Sequence, residues 1–94
     1  MNPKPTIGRI VHYRLPPRFE GDTAEVWRPA TVVGVFGHED NPLCNLTVFL
    51  DALNDTGGGG LAESGLDVVS AAIGSVGSAQ EGTAQGEWRW PPRL

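Results

Sequence analysis

Hydrophobic and polar residues alternate in several short runs, and a period of two predicts strands. In residues 7–15, Val11, Tyr13 and Leu15 share one face while Ile10, His12 and Arg14 share the other. Pro16-Pro17 ends the run, because proline has no N–H to give to a ladder. A polar loop through Gly21-Asp22 follows over residues 16–25. Residues 26–36 read as the next strand. Its centre, Ala30-Thr31-Val32-Val33-Gly34-Val35-Phe36, is β-branched and bounded by Pro29 and Gly37. Gly34 inside it marks an expected bend or bulge. Residues 37–42 read as a turn, and residues 43–50 as a third strand. There Cys44, Leu46, Val48 and Leu50 form one face, and Asn45, Thr47 and Phe49 the other. The first set is the clearest core in the sequence, and it makes Cys44 a small buried hydrophobe rather than a nucleophile.

The pattern weakens after residue 50. Asp51-Ala52-Leu53-Asn54-Asp55-Thr56 leads into the run Gly57 to Gly60, where backbone entropy is greatest and a mobile loop tip is expected. Residues 66–73 are ambiguous between a strand and a short helix, and Val68, Val69 and Ile73 favour the strand. Residues 74–86 are rich in Gly, Ser, Ala and Gln and read as loop. Residues 87–90, Glu-Trp-Arg-Trp, read as a short last strand closed by Pro91-Pro92. The sum is a mostly β single domain over residues 1–94. It is expected to be a small SH3-like or OB-like antiparallel barrel of about five strands, with flexible insertions at 56–65 and 74–86.

Composition narrows the picture. The 94 residues include 13 glycines and 8 prolines, a bias toward turns over long helices. A core this small supplies only about 3–5 kcal/mol of net stability, so a homo-oligomer that buries more apolar surface is a reasonable expectation. The net charge of −4 argues against a general nucleic-acid binder. The charge is also uneven. Lys4, Arg9, Arg14, Arg18 and Arg28 precede a stretch without Lys or Arg that lasts until Arg89. The intervening acids read either as a solvated face or as one pole of a bipolar surface. The single cysteine permits no internal disulfide, in keeping with a reducing cytoplasm. The N-terminus lacks a signal-peptide pattern, and no apolar run is long enough to predict a membrane span.

Candidate chemistry gathers on arginine and aromatic residues. In Glu87-Trp88-Arg89-Trp90, the two indoles are two residues apart and leave one face of a strand, with Arg89 on the other. The indoles are either a core plug or an exposed stacking platform for a base, a peptide or a partner side chain. Arg9, Arg14, Arg28 and Arg89, with Tyr13 and Trp27, are candidates for an aromatic and cationic patch. Guanidinium forks match anionic oxygens, and aromatic rings stack. The bland alternative is arginines with their stems laid on apolar surface. The glycine run lacks the Lys-Ser/Thr of a phosphate loop. His12, His38 and Cys44 have no metal-ligand spacing, and Asp51, Asn54 and Asp55 suit turn capping better than calcium binding. No metal, no cofactor and no catalytic set of nucleophile, base and orienting group is expected.

Four blocks together resemble a widespread group of small tailed-bacteriophage proteins. They are Gly8-Arg9-Ile10-Val11-His12-Tyr13, Arg28-Pro29-Ala30-Thr31-Val32-Val33, Asn45-Leu46-Thr47-Val48-Phe49 and Gly86-Glu87-Trp88-Arg89-Trp90-Pro91. The resemblance covers the chain apart from 56–85, and it implies a phage or prophage gene and a small β fold. Similar proteins carry an aromatic and acidic stretch before the last tryptophans. This chain has Ala71-Ala72-Ile73-Gly74-Ser75-Val76-Gly77-Ser78 there, so a ligand site in that stretch of the relatives would be altered or absent here.

The expectation is a non-enzymatic phage accessory protein that acts by stoichiometric binding in the host cytoplasm. It would antagonise a host process by capping a host protein or by sequestering a signalling nucleotide. The contact candidates are Arg9, Tyr13, Arg14, Trp27, Arg28, Trp88, Arg89 and Trp90, with Gly57 to Gly60 as a candidate lid. The alternatives are a structural virion component, for head decoration or tail association, and a weak single-stranded nucleic-acid binder.

Overall fold

The structure, a computed structural model, describes residues 4–17, 20–38, 40–51, 55, 66–70 and 73–92. Among these residues are six strands: β1 (Ile10–Arg14), β2 (Trp27–His38), β3 (Asn41–Phe49), β4 (Leu66–Ser70), β5 (Ile73–Ala79) and β6 (Trp88–Arg89). They form one sheet in the order β4-β5-β3-β2-β1-β6, and every paired neighbour is antiparallel. The chain is therefore mostly β, as its alternation predicts.

The alternating faces fall as read from the sequence. Val11, Tyr13 and Leu15 of the first run are buried, and so are Cys44, Leu46, Val48 and Leu50 of the third. Ala30 and Val32 from β2, Val76 and Ala79 from β5, and Trp88 from β6 complete one core. Among the described residues no helical layer covers this face. A single sheet can dry its own inner face in that situation only by curling over it, which is how small barrels form. Two register shifts in the central strands help it bend. One lies between Val32 and Gly34 on β2, where the glycine was expected to mark a bulge, and the other between Cys44 and Leu46 on β3.

The strand ladder does not close into a full barrel. Among the described residues, what links the β6 edge back across the sheet is a parallel bridge between Trp88 and Glu81, just after β5, the strand next to the β4 edge. The Trp88 N–H donates to the Gln80 carbonyl at 3.0 Å, and the Gly82 N–H donates to the Trp88 carbonyl at 2.8 Å. The two-residue β6 is thus held on both sides, by β1 and by the segment leaving β5.

Three expectations need correction. Residues 74–86 are not a loop throughout, because residues 73–79 form β5, which lies between β4 and β3 in the sheet. The segment is glycine-rich and still a strand because its buried positions, Gly74, Val76 and Ala79, face a crowded interior where small residues fit. The turn at 37–42 is also shorter than expected. Gly37 pairs with Pro42 and His38 with Asn41, so both strands continue almost to the hairpin tip. Finally, the 66–73 run splits into β4 and the start of β5, which fold against each other with a register shift between Val68 and Ser70. The expected insertion at 56–65 lies outside the described residues.

Candidate functional site

Register decides where each candidate side chain goes. Directly opposed residues of an antiparallel pair share a face. Tyr13 lies opposite Trp88 and Arg28, on the inner side, while His12 lies opposite Arg89 and Pro29, on the outer side. Arg14 and Trp27 form the next outer pair. The candidate residues therefore separate into four places.

Two of them are core. Tyr13 is 2% exposed and Trp88 is wholly buried. Neither can touch a ligand, so both leave the list of surface contacts. Burial pushes the Tyr13 phenol up to about 12, because the phenolate would have to form out of water. Trp88 is the plug of the two possibilities: its indole Nε1 donates to the buried Ala79 carbonyl at 3.2 Å. Burial also raises the Cys44 thiol, with Glu81 adding to the shift, which suits a packing residue rather than a nucleophile.

Arg28 is a clamp. Its Nε donates to Asp55 Oδ2 at 2.7 Å and its Nη2 to Asp55 Oδ1 at 2.9 Å. The Asp55 carboxylate has no solvent exposure, and it also accepts from the Asp51 N–H at 2.6 Å. That hydrogen bond to Asp55 holds the Arg28 guanidinium in its charged form. The fork is used up inside the molecule, tying β2 to the chain that leaves β3. Asp55 does act locally, as expected of a turn-capping acid.

Arg9 and Trp90 form a third place, at the inner rim. The Arg9 guanidinium lies 5.6 Å from the Trp90 ring centroid, and the Trp90 ring meets Trp88 edge-on at 5.5 Å. Trp90 packs on the core, half-buried, and its indole Nε1 is buried without an acceptor.

The fourth place is the outer face of β6, β1 and β2. The Arg89 guanidinium carbon sits 3.9 Å from the Trp27 ring centroid, a close cation–π stack. The Trp27 indole is fixed in turn by donating from Nε1 to Glu25 Oε1 at 2.9 Å. Beside this stack, Arg14 spans two loops, donating from Nη1 to the Thr83 carbonyl at 2.7 Å and from Nη2 to the Thr23 carbonyl at 3.3 Å. Gln85 adds a tie from its Nε2 to the Asp22 carbonyl at 2.8 Å. The walls of the site are thus braced by Arg14, whereas among the described residues no carboxylate or carbonyl receives Arg89.

The outer face continues across the sheet. His12 and Pro29 follow Arg89 along one row of the register. The register that sets Val48 opposite Ala30 brings Phe49 beside Pro29, and Phe49 pairs with Ile73. Phe49 is 43% exposed and Ile73 is 39% exposed, large values for such side chains. Sequence reasoning put His12 and Phe49 on the polar-side faces without reading them as contacts. The available signal was an aromatic on the face opposite Cys44, Leu46 and Val48.

The arrangement suits recognition by stacking, charge and apolar contact. Among the described residues no three His, Cys, Asp or Glu side chains gather as metal ligands. The candidate lid Gly57 to Gly60 lies outside the described residues. Comparison with known protein families, with curated proteins and with solved structures gives no match to this chain.

Proposed function

We propose that this chain is a non-enzymatic binding protein of phage origin that occupies a host protein stoichiometrically through the outer face of β6, β1 and β2. The reading rests on one observation above others. Arg89, which no carboxylate or carbonyl of the described residues receives, is a cation held against Trp27 on a face that also exposes large apolar side chains. Arginine and tryptophan are the residues that most often dominate protein interfaces, because each brings a large contact area with few new degrees of freedom to freeze. The phage origin rests on the four sequence blocks, and with it goes action in the bacterial cytoplasm.

A protein partner is favoured over a small nucleotide. Arg89 already covers one face of Trp27, so a base would have to stack on the other face or displace the guanidinium. The outer row is extended, and an extended surface matches another surface better than it encloses a small molecule.

The test is affinity capture from a lysate of the bacterial host. Captured proteins and released small molecules are both identified by mass spectrometry, with Arg89→Glu as the control bait. One dominant host protein near equimolar amount, lost with the variant, supports the reading. A nucleotide released in its place, or equal capture by both baits, overturns it. Mass spectrometry of purified virions speaks to a structural role, since a virion component would appear there in stoichiometric amount.

A further inference from the structure

We infer that the row Arg89, His12, Pro29, Phe49 and Ile73 docks a protein segment that is acidic at one end and apolar at the other. The inference rests on the binding reading above and names the chemistry of its partner. The row crosses five neighbouring strands, from β6 through β1, β2 and β3 to β5. With strands about 4.8 Å apart, it is about 19 Å long. Its two halves differ in kind. The first half presents the Arg89 guanidinium and the His12 imidazole as opposed partners, with Trp27 and Arg14 in the adjoining row. The second half presents the paired Phe49 and Ile73 side chains, both substantially exposed.

Charge selects the occupant. Arg14 and Arg28 are engaged inside the molecule, but among the described residues Arg89 has only the Trp27 ring for company. Its Nε is buried without an acceptor among the described residues, so an incoming acceptor meets the terminal nitrogens of the guanidinium. A carboxylate laid over that end gains a fork contact against an aromatic backing. A nucleic acid fits the row poorly: it would meet a cation at one end only and two aliphatic or aromatic side chains at the other, on a chain of net charge −4. The occupant that satisfies both halves is a peptide segment with Asp or Glu at one end and large apolar residues about 14–19 Å away, within the length of the row.

The experiment is panning of a displayed library of random 16-residue peptides against the full chain. Enriched peptides are then measured against the wild type, Arg89→Glu, Phe49→Ser and Lys4→Ala. The expected winners carry Asp or Glu near one end and Leu, Phe or Trp toward the other. Their affinity falls about 10-fold or more with Arg89→Glu and with Phe49→Ser, and stays within about 2-fold with Lys4→Ala. Thermal melts of the variants confirm folding, and Phe49→Leu serves as a milder second variant. Basic winners, no enrichment, or affinities indifferent to both row substitutions overturn the inference. So does loss of binding on concentration of the protein, which would mean that a second copy already covers the row. Panning needs no host partner, so success here with an empty lysate capture would sink the host-protein reading and leave the docking row standing.

Discussion

Trp88 and Trp90 are two residues apart and chemically identical, yet the same substitution should cost stability at one and almost nothing at the other. Trp88 is wholly buried and donates to the Ala79 carbonyl at 3.2 Å. Trp88→Phe removes about 40 Å² of apolar contact, roughly 1 kcal/mol at the usual coefficient. It also strips a buried carbonyl of its indole donor, about 1 kcal/mol more. The expected loss is about 2 kcal/mol, which for a domain of this size lowers Tm by about 8–16 °C. Trp90 is only half-buried and loses less area, and its Nε1 is buried with no acceptor. Removing that N–H lifts a desolvation cost of about 1 kcal/mol, so Trp90→Phe should change stability by less than about 0.5 kcal/mol. Urea unfolding followed by far-ultraviolet circular dichroism gives both numbers, since the slope is shared and only the midpoint moves. Equal losses for the two variants, or a larger loss for Trp90→Phe, would refute the assignment of plug and rim. Trp88→Ala should leave no more than about half the chains folded in buffer, because a cost of about 3–5 kcal/mol matches the whole net stability expected of such a core.

Other consequences are as direct. Arg28→Ala leaves the fully buried Asp55 carboxylate without its counter-charge and should cost about 3–5 kcal/mol, whereas the double variant Arg28→Met, Asp55→Leu should recover much of that in the same unfolding assay. The chain has one tyrosine, so phenolate absorbance reports Tyr13 alone. It should appear near pH 12 in the folded protein and near pH 10 in urea. The folded state keeps that proton where the unfolded state has lost it. Stability is therefore full below pH 10 and falls by up to roughly 3 kcal/mol as pH rises toward 12, a drop that Tyr13→Phe abolishes. Titration near 10 without unfolding would contradict the burial. The Cys44 thiol should react with a disulfide reagent only on unfolding, so a fast reaction in native buffer would contradict its place in the core.

Much of the fold is legible in the sequence because strands alternate. Val11, Tyr13 and Leu15, and Cys44, Leu46, Val48 and Leu50, reveal themselves as inner faces from their spacing alone. β5 was hidden for a physical reason. Ile73-Gly-Ser-Val-Gly-Ser-Ala has the composition of a loop, and only its position between β4 and β3 makes small residues an advantage. Ser78 even takes a left-handed φ of 57°, stabilised by its N–H donating to Asn45 Oδ1 at 3.1 Å, a feature no local propensity foretells. The site was legible residue by residue and not as a whole. Arg89 and Trp27 are far apart in sequence and meet because β1 lies between their strands. Tyr13 and Arg28 looked like their companions, but register turns both inward. One is consumed by the core and the other by Asp55.

The most direct test of binding through this face is a calorimetric titration of the captured host protein with the wild type and with Arg89→Glu. The account predicts saturation at one equivalent for the wild type and an affinity lower by at least about 10-fold for the variant, with both free chains still melting cooperatively. Identical isotherms would show that the outer face of β6, β1 and β2 is not where this protein binds.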